Sequence, residues 1–255
     1  MRGNGEDENE LTDPPRPFLE HLEELRVMVL KIGFTIILST VLAFVFIRQI
    51  FQLLQRPLVF AGLNPEDFLR NLAPVGGFTT AMQMAVLAGG VVALPLVLFF
   101  VAEFVLPAFT RTEKRVILPV FAGGAALFVA GVAFAYFVLI PVTLKFFYEF
   151  DRSLGFISAW TVQNYIGFVV QLLLVMGLVF ELPVVILTLA ALGLVDSFFL
   201  RKYRSHAIVF IVVLAAVITP TSDLITLCLM SVPMWLLYEL CVLITWLLEC
   251  RTARG

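Results

Sequence analysis

Six apolar runs separated by short polar segments constrain this chain more than any other feature of its sequence. A helix needs about 20 apolar residues to cross the ~30 Å hydrocarbon core of a bilayer. Charged residues make up only 14% of the chain, against about 25% in globular proteins. We therefore predict an all-α integral membrane protein with six transmembrane helices. The predicted spans lie at about 27–47, 78–106, 116–140, 162–194, 206–218 and 224–248.

Positive charges are distributed unevenly over this six-span arrangement. Twelve of the 17 Lys and Arg residues fall on the side that carries both termini, and five fall on the other side. Because Lys and Arg accumulate in cytoplasmic loops, we predict that both termini are cytoplasmic.

The fifth apolar run, 206–218, is too short to cross the bilayer as a straight helix. Its length as a helix is only ~20 Å, against a hydrocarbon core of ~30 Å. Either the bilayer thins there, or the turn TPTSD at 219–223 lies below the outer surface.

The two ends of the chain lie outside the apolar runs. Residues 1–16 are rich in acids, Gly, Asn and Pro, which predicts a disordered acidic tail. From Pro17, apolar side chains spaced three and four residues apart predict an amphipathic helix that leads into the bilayer. We therefore place the membrane domain at 17–248 and a short cytoplasmic tail at 249–255.

Sequence motifs for enzymatic chemistry are missing. We find no phosphate-binding loop, no G-x-S-x-G, no H-E-x-x-H and no paired-cysteine metal site. The cysteines Cys228, Cys241 and Cys250 show no metal-ligand spacing. There is no broad basic patch for nucleic acid. We predict no catalysis, no metal, no cofactor and no nucleic-acid partner. The energy for any work that the protein does must then come from a partner protein or from a gradient across the membrane.

Acidic residues in or beside the apolar runs are the remaining functional candidates. Glu24 and Glu113 lie at predicted cytoplasmic edges, where a plain solvated charge is the alternative interpretation. Glu103 and Glu239 lie near the ends of spans, where a carboxyl can reach water and have a structural role. Glu181 differs from these four because it lies well inside its span.

The position of Glu181 two residues before Pro183 predicts a local break in the helix. Proline has no N–H to donate to the carbonyl of Val179, so the helix should kink and leave that carbonyl free. Such a turn is tolerated in a membrane only against protein or a water-filled cavity, so Glu181 should face the interior. A carboxyl removed from water favours its neutral form, which both donates and accepts hydrogen bonds.

Small residues and prolines mark positions with a predicted structural role. In the third span, alanines and glycines at helical spacing predict close helix packing: Ala122, Gly123, Gly124, Ala126, Ala130 and Gly131. Pro57 and Pro183 are assigned structural roles. Asp223 is the candidate N-cap of the sixth helix.

Four segments together resemble the TatC family, the polytopic subunit of the twin-arginine protein translocase. They are FLEHLEELR (18–26), FVLPAFTRTEKR (104–115), FAYFVLIPVTLKFF (134–147) and FELPVV (180–185), the last followed by RKYR and TPTSD. The segments occur in the family's order and at the expected helix boundaries. The resemblance covers about residues 17–248.

The resemblance implies a concave bundle of six helices in the inner membrane of a bacterium. It implies a receptor for folded precursors whose signal peptides carry paired arginines, with TatA and TatB as partners and the proton-motive force as energy source. It also implies a receptor complex that contains several copies of the chain. Glu24, Arg26, Phe104 and Glu113 fall on its signal-peptide motifs. In the membrane, Glu103 and Glu181 are then candidates for docking a partner helix.

Two carboxylates suit the recognition of two adjacent arginines. Each guanidinium presents a planar fork that a carboxylate accepts through two hydrogen bonds, and a lysine lacks this geometry. Glu24 and Glu113, predicted at the same membrane level, would read the arginines as a pair. Arg26 would hold the local geometry by pairing with Glu23, one turn back.

A second class of function remains open on the sequence alone. In a proton-coupled small-solute transporter, Glu103 and Glu181 would form a proton relay. Transporters of this size often contain an internal repeat with paired broken helices, whereas this chain shows a proline-broken carboxyl site only at Glu181. The sequence therefore favours the translocase receptor and keeps the transporter as the alternative.

Overall fold

The computed structural model describes residues 18–72, 75–106, 111–156, 159–191, 193–218 and 224–252. Within these ranges the chain forms eleven α-helices, one π-helical turn at Ala135–Leu139 and two short strands, β1 (Leu69–Arg70) and β2 (Trp160–Thr161). The helices are α1 (Phe18–Val45), α2 (Ile47–Phe60), α3 (Pro65–Phe68), α4 (Gly76–Val105), α5 (Arg111–Phe134), α6 (Ile140–Ser153), α7 (Val162–Val179), α8 (Leu182–Ala191), α9 (Ser197–Lys202), α10 (Arg204–Ile218) and α11 (Leu224–Thr252). The predicted tail at 1–16 and Asp223 lie outside the described residues.

Five helical stretches in the described part are long and apolar enough to cross a membrane: Leu22–Val45, Gly76–Val105, Gly123–Ser153, Val162–Ala190 and Leu224–Cys250. A shorter apolar stretch lies at Arg204–Val217. Its helix, α10, has 15 residues and reaches about 22 Å, less than the ~30 Å core. The chain is a helical multi-pass membrane protein, as its apolar runs predict.

The first helix is continuous from its polar start into the membrane. The predicted amphipathic segment and the first span form the single helix α1, which packs along α4. At their crossing, a Cβ built on Gly89 would lie 2.6 Å from the backbone Cα of Thr40. The two backbones approach this closely because residue 89 has no side chain.

Pro57 interrupts the hydrogen bonding of α2, and the hydroxyl of one tyrosine supplies the missing donor. Proline has no N–H to donate to the carbonyl of Leu53, four residues back. The Tyr136 hydroxyl donates to that carbonyl at 2.7 Å. The buried Tyr165 hydroxyl donates to the carbonyl of Leu54 at 2.6 Å. The two hydroxyls tie α2 to the π-helical turn and to α7 beside Pro57, a position that is predicted to be structural.

The connection between α3 and α4 and the connection between α6 and α7 meet in a small cap. Strand β1 pairs with β2 in parallel, with Leu69 opposite Trp160. Beneath the strands, the buried ring of Phe68 lies 5.7 Å from the ring of Trp160 and 6.4 Å from that of Tyr148, centroid to centroid. The cap joins chain segments that are about 90 residues apart in the sequence.

One predicted connection is wrong. The third span is predicted to end near Ile140, with residues 141–161 as a connection. In the structure the helix continues as α6 to Ser153. Pro141 lies in the first turn of α6, directly after the π-helical turn. The π-helical turn changes the hydrogen-bond register directly before the proline, and the helix continues past it.

Candidate functional site

A cavity of about 410 Å³ lies between the N-terminal part of α1 and the C-terminal end of α4. Its lining consists of three carboxylates, one ammonium, two phenyl rings and two apolar side chains: Glu23, Glu24, Glu103, Lys31, Phe100, Phe104, Val27 and Met28. On each helix these residues recur at intervals of three and four, so each set shares one helical face. The cavity is therefore formed by two helix faces.

Two ion pairs border the cavity. Arg26 Nη1 donates to Glu23 Oε1 at 3.3 Å, the pairing that the sequence predicts. Lys31 Nζ donates to Glu103 Oε2 at 3.2 Å and links α1 to α4. All four side chains are largely or about half exposed. Exposed pairs contribute roughly 0–1 kcal/mol to stability, so their main effect is to position the carboxylates.

The structure brings part of the predicted binding site together. Glu24 and Phe104 both line the cavity, and so does Glu103, which is predicted together with Glu181 as a candidate for docking a partner helix. Glu113 lies on the first turn of α5, and its side chain is outside the described part of the structure. Lys31 and Phe100 also line the cavity and are absent from the site that the sequence predicts. Their spacing was a usable signal, because Lys31 follows Glu24 by two helical turns and Phe100 precedes Phe104 by about one.

A second acidic position, Glu181, lies at the break between α7 and α8. Phe180 and Glu181 form a turn, and helical hydrogen bonding resumes when Val184 N–H donates to the Glu181 carbonyl at 3.0 Å. The local break in the helix that is predicted from Pro183 is confirmed, because α7 ends at Val179 and α8 begins at Leu182. Glu181 is only 8% exposed. Within the described residues, neither of its carboxyl oxygens has a hydrogen-bond partner.

Glycines of α5 make room for this break. A Cβ on Gly124 would lie 2.9 Å from Glu181 Oε2. A Cβ on Gly131 would lie 2.5 Å from the Met176 carbonyl oxygen and 2.7 Å from the Phe180 ring. These two glycines account for part of the small-residue stripe that the sequence analysis assigned to close helix packing.

Two further carboxylates hold the C-terminal helices together. Glu239 accepts from Arg204 Nη2 at 2.7 Å, which ties α10 to α11. Glu249 accepts from the Ser197 N–H at 2.7 Å and also from the Ser197 hydroxyl. These contacts agree with the structural role predicted for Glu239. Across the described side chains, no group of three or more His, Cys, Asp or Glu residues is arranged to hold a metal ion.

Comparison with known proteins identifies the family. The sequence model of the family described as Sec-independent protein translocase protein (TatC) matches residues 20–233. The chain belongs to the TatC family. A TatC of Carboxydothermus hydrogenoformans is 30% identical over 245 residues, covering 96% of this chain and 99% of the relative. The TatC of Akkermansia muciniphila is 39% identical over 192 residues, covering 75% of this chain and 55% of the relative's length.

A solved TatC structure agrees with this assignment. A crystal structure of the twin-arginine translocase receptor TatC superposes with a TM-score of 0.77 at 31% sequence identity, covering 89% of this chain and 98% of the solved one. The described helices thus have the TatC fold. These matches do not favour the small-solute transporter that the sequence left as an alternative.

Proposed function

We propose that this chain is the receptor subunit of a twin-arginine translocase, and that the cavity between α1 and α4 binds the paired arginines of a signal peptide. The observation that carries the proposal is the cavity's lining, which combines three carboxylates with two phenyl rings. A guanidinium accepts both kinds of partner, because it forms forked hydrogen bonds with carboxylates and stacks on aromatic faces. In this proposal the chain binds its ligand and carries out no chemical step.

Glu24 and Glu113 have the central roles in the proposed site. Glu24 lies on the cavity face of α1, and Glu113 lies just after the segment that joins α4 to α5. Two carboxylates on separate elements would each hold one arginine, so that the peptide is read as a pair. Arg26 acts through its ion pair with Glu23, and Phe104 provides an apolar wall beside the arginines.

Site-specific crosslinking of a twin-arginine signal peptide to membranes that contain the chain tests this proposal. We expect Glu24→Ala and Glu113→Ala each to abolish crosslinking while the protein remains inserted. Glu149→Ala is the matched control, since Glu149 is an exposed, weakly paired acid on α6. A peptide with paired lysines should crosslink poorly to the unaltered protein. Normal binding by the Glu113→Ala protein would remove Glu113 from the site.

The proposed site requires that the termini face the cytoplasm, where precursors arrive. The excess of Lys and Arg on the terminal side supports this orientation in a bacterial inner membrane. In a variant without Cys228, Cys241 and Cys250, single cysteines near Asn4 and Arg254 should be shielded from an impermeant thiol reagent added outside. A cysteine near Pro65 should react. Reaction at either terminus would reverse the topology.

Glu181 supports a second part of the proposal, the docking of a TatA or TatB transmembrane helix. Its carboxyl is buried and has no hydrogen-bond partner among the described residues, so it has donor and acceptor capacity to offer. One interhelical hydrogen bond in a membrane contributes ~1 kcal/mol. A contact of that strength is reversible. Reversible contacts suit a complex that contains several receptor copies and whose assembly is driven by the proton-motive force.

A further inference from the structure

Lys31 has an unexpected place in a cavity that is proposed to bind cations. Among the eight described residues that line the cavity, Lys31 is the only basic one. Its Nζ lies 3.2 Å from Glu103 Oε2 and 5.6 Å from the centroid of the Phe100 ring. An ammonium at this point repels any cation that approaches Glu103. Lys31 therefore affects which ligand side chain can enter this part of the cavity.

The Lys31–Glu103 pair lies at the inner end of the cavity. Lys31 follows Glu24 by seven residues on α1, which is two turns and about 10 Å along the helix axis. An extended peptide covers about 10 Å in three residues. A peptide that places an arginine at Glu24 and then runs deeper into the membrane would bring a side chain about three residues farther on to this pair.

The pair makes the inner end of the cavity different from its outer end. With Lys31 in place, Glu103 is neutralised from within the chain, and the neighbouring walls are the rings of Phe100 and Phe104. The two charged side chains are 45% and 55% exposed in the open cavity. A bound peptide would displace the water around them, and both the attraction within the pair and the repulsion of another cation would strengthen.

We propose that Lys31 is a specificity-determining residue. By occupying Glu103, it makes the inner end of the site accept an uncharged, apolar side chain about three residues beyond the paired arginines and reject a basic one there. This inference rests on the proposed function, because it assumes that the peptide lies along the α1 and α4 faces. Without Lys31, Glu103 would become an additional carboxylate able to bind a cation.

Binding of matched peptides to the purified protein in lipid nanodiscs tests this role. All peptides keep the arginine pair. In one pair of peptides, the third residue beyond the arginines is either leucine or lysine. Two further pairs make the same exchange at the second and at the fourth residue, because the peptide residue that reaches Lys31 is known only to about one position. For one of these three positions, the unaltered protein should bind the leucine peptide about tenfold more tightly than the lysine peptide. Lys31→Met should tighten binding of the corresponding lysine peptide by about tenfold, the scale of one hydrogen bond to a charged group. Lys31→Met combined with Glu103→Gln should cancel that gain.

Controls separate this inference from the proposed function on which it rests. Lys31→Arg keeps a cation beside Glu103 and should keep the preference for leucine. A flat response at all three positions, or a gain that persists in the double variant, would overturn the role of Lys31. If peptides with paired lysines bind every variant as well as those with paired arginines, the proposed arginine site itself fails.

Discussion

The two acidic regions of this protein place the same side chain in opposite surroundings. In the α1–α4 cavity, Glu23 and Glu103 are 64% and 55% exposed, and each pairs with a cation. At the α7–α8 break, Glu181 is 8% exposed, and its carboxyl oxygens have no hydrogen-bond partner among the described residues. The cavity is open, whereas the break is closely packed against glycines of α5.

This difference indicates two separate tasks for carboxyl groups in one membrane protein. Exposed carboxylates remain ionised at little cost and suit the recognition of charged groups. A carboxyl enclosed by apolar helices is costly to ionise and suits neutral hydrogen bonding. Substitutions in the cavity should therefore alter binding with little effect on stability, while substitutions at the break should alter stability or assembly.

The largest effect on stability should come from filling the space that the break needs. Gly131→Ala would place a Cβ 2.5 Å from the Met176 carbonyl oxygen, and we expect a loss of about 1–3 kcal/mol in the free energy of unfolding. Gly123→Ala is the matched control, because a Cβ there meets no atom within 4 Å. Thermal unfolding in detergent measures both. Equal midpoints for the two variants would show that the break is loosely packed.

A smaller effect should follow from changing the carboxyl itself. Glutamine keeps the hydrogen-bonding capacity of Glu181 and cannot titrate, whereas alanine removes both properties. We expect Glu181→Gln to retain most export of a folded reporter precursor. Glu181→Ala should lose most of it, by about fivefold or more for a lost bond of ~1 kcal/mol. If glutamine is as inactive as alanine, proton transfer by Glu181 matters and the docking role is wrong.

The smallest effect on stability should be found at the cavity. Arg26→Ala removes an exposed ion pair with Glu23, which should change the free energy of unfolding by no more than about 1 kcal/mol. The same variant should weaken signal-peptide binding, because Glu23 loses its fixed position. Unfolding and peptide binding are measured on one preparation. If Arg26→Ala lowers stability strongly and leaves peptide binding unchanged, the cavity does not differ from the α7–α8 break in the way proposed.

Local chemistry made part of this structure predictable from the sequence. The missing N–H of Pro183 predicts the break at Glu181, and the one-turn spacing predicts the pair of Arg26 with Glu23. Both depend on residues that are close in the sequence. The continuation of the helix past Pro141 was missed because the preceding π-helical turn shifts the hydrogen-bond register, and no residue pattern announces that shift.

Contacts between distant residues were beyond the sequence analysis. The pairing of Lys31 with Glu103 joins residues 72 positions apart. The two tyrosine hydroxyls that donate to carbonyls of α2 come from positions 83 and 111 residues away from their acceptors. Such pairs depend on how α1, α2, α4 and α7 pack. Helical periodicity shows on which face of its own helix a residue lies. It does not show which residue of a neighbouring helix lies opposite that face.

Photocrosslinking from two neighbouring positions of α1 tests the central claim most directly. Val27 lines the cavity, whereas Val29 is not among the cavity's lining residues, and the two are similarly exposed at 43% and 56%. With a photoreactive residue at either position, a twin-arginine signal peptide should be captured strongly from position 27 and weakly from position 29. Capture from position 27 should disappear with Glu24→Ala. Equal capture from both positions, or stronger capture from position 29, would contradict a signal-peptide site in the α1–α4 cavity.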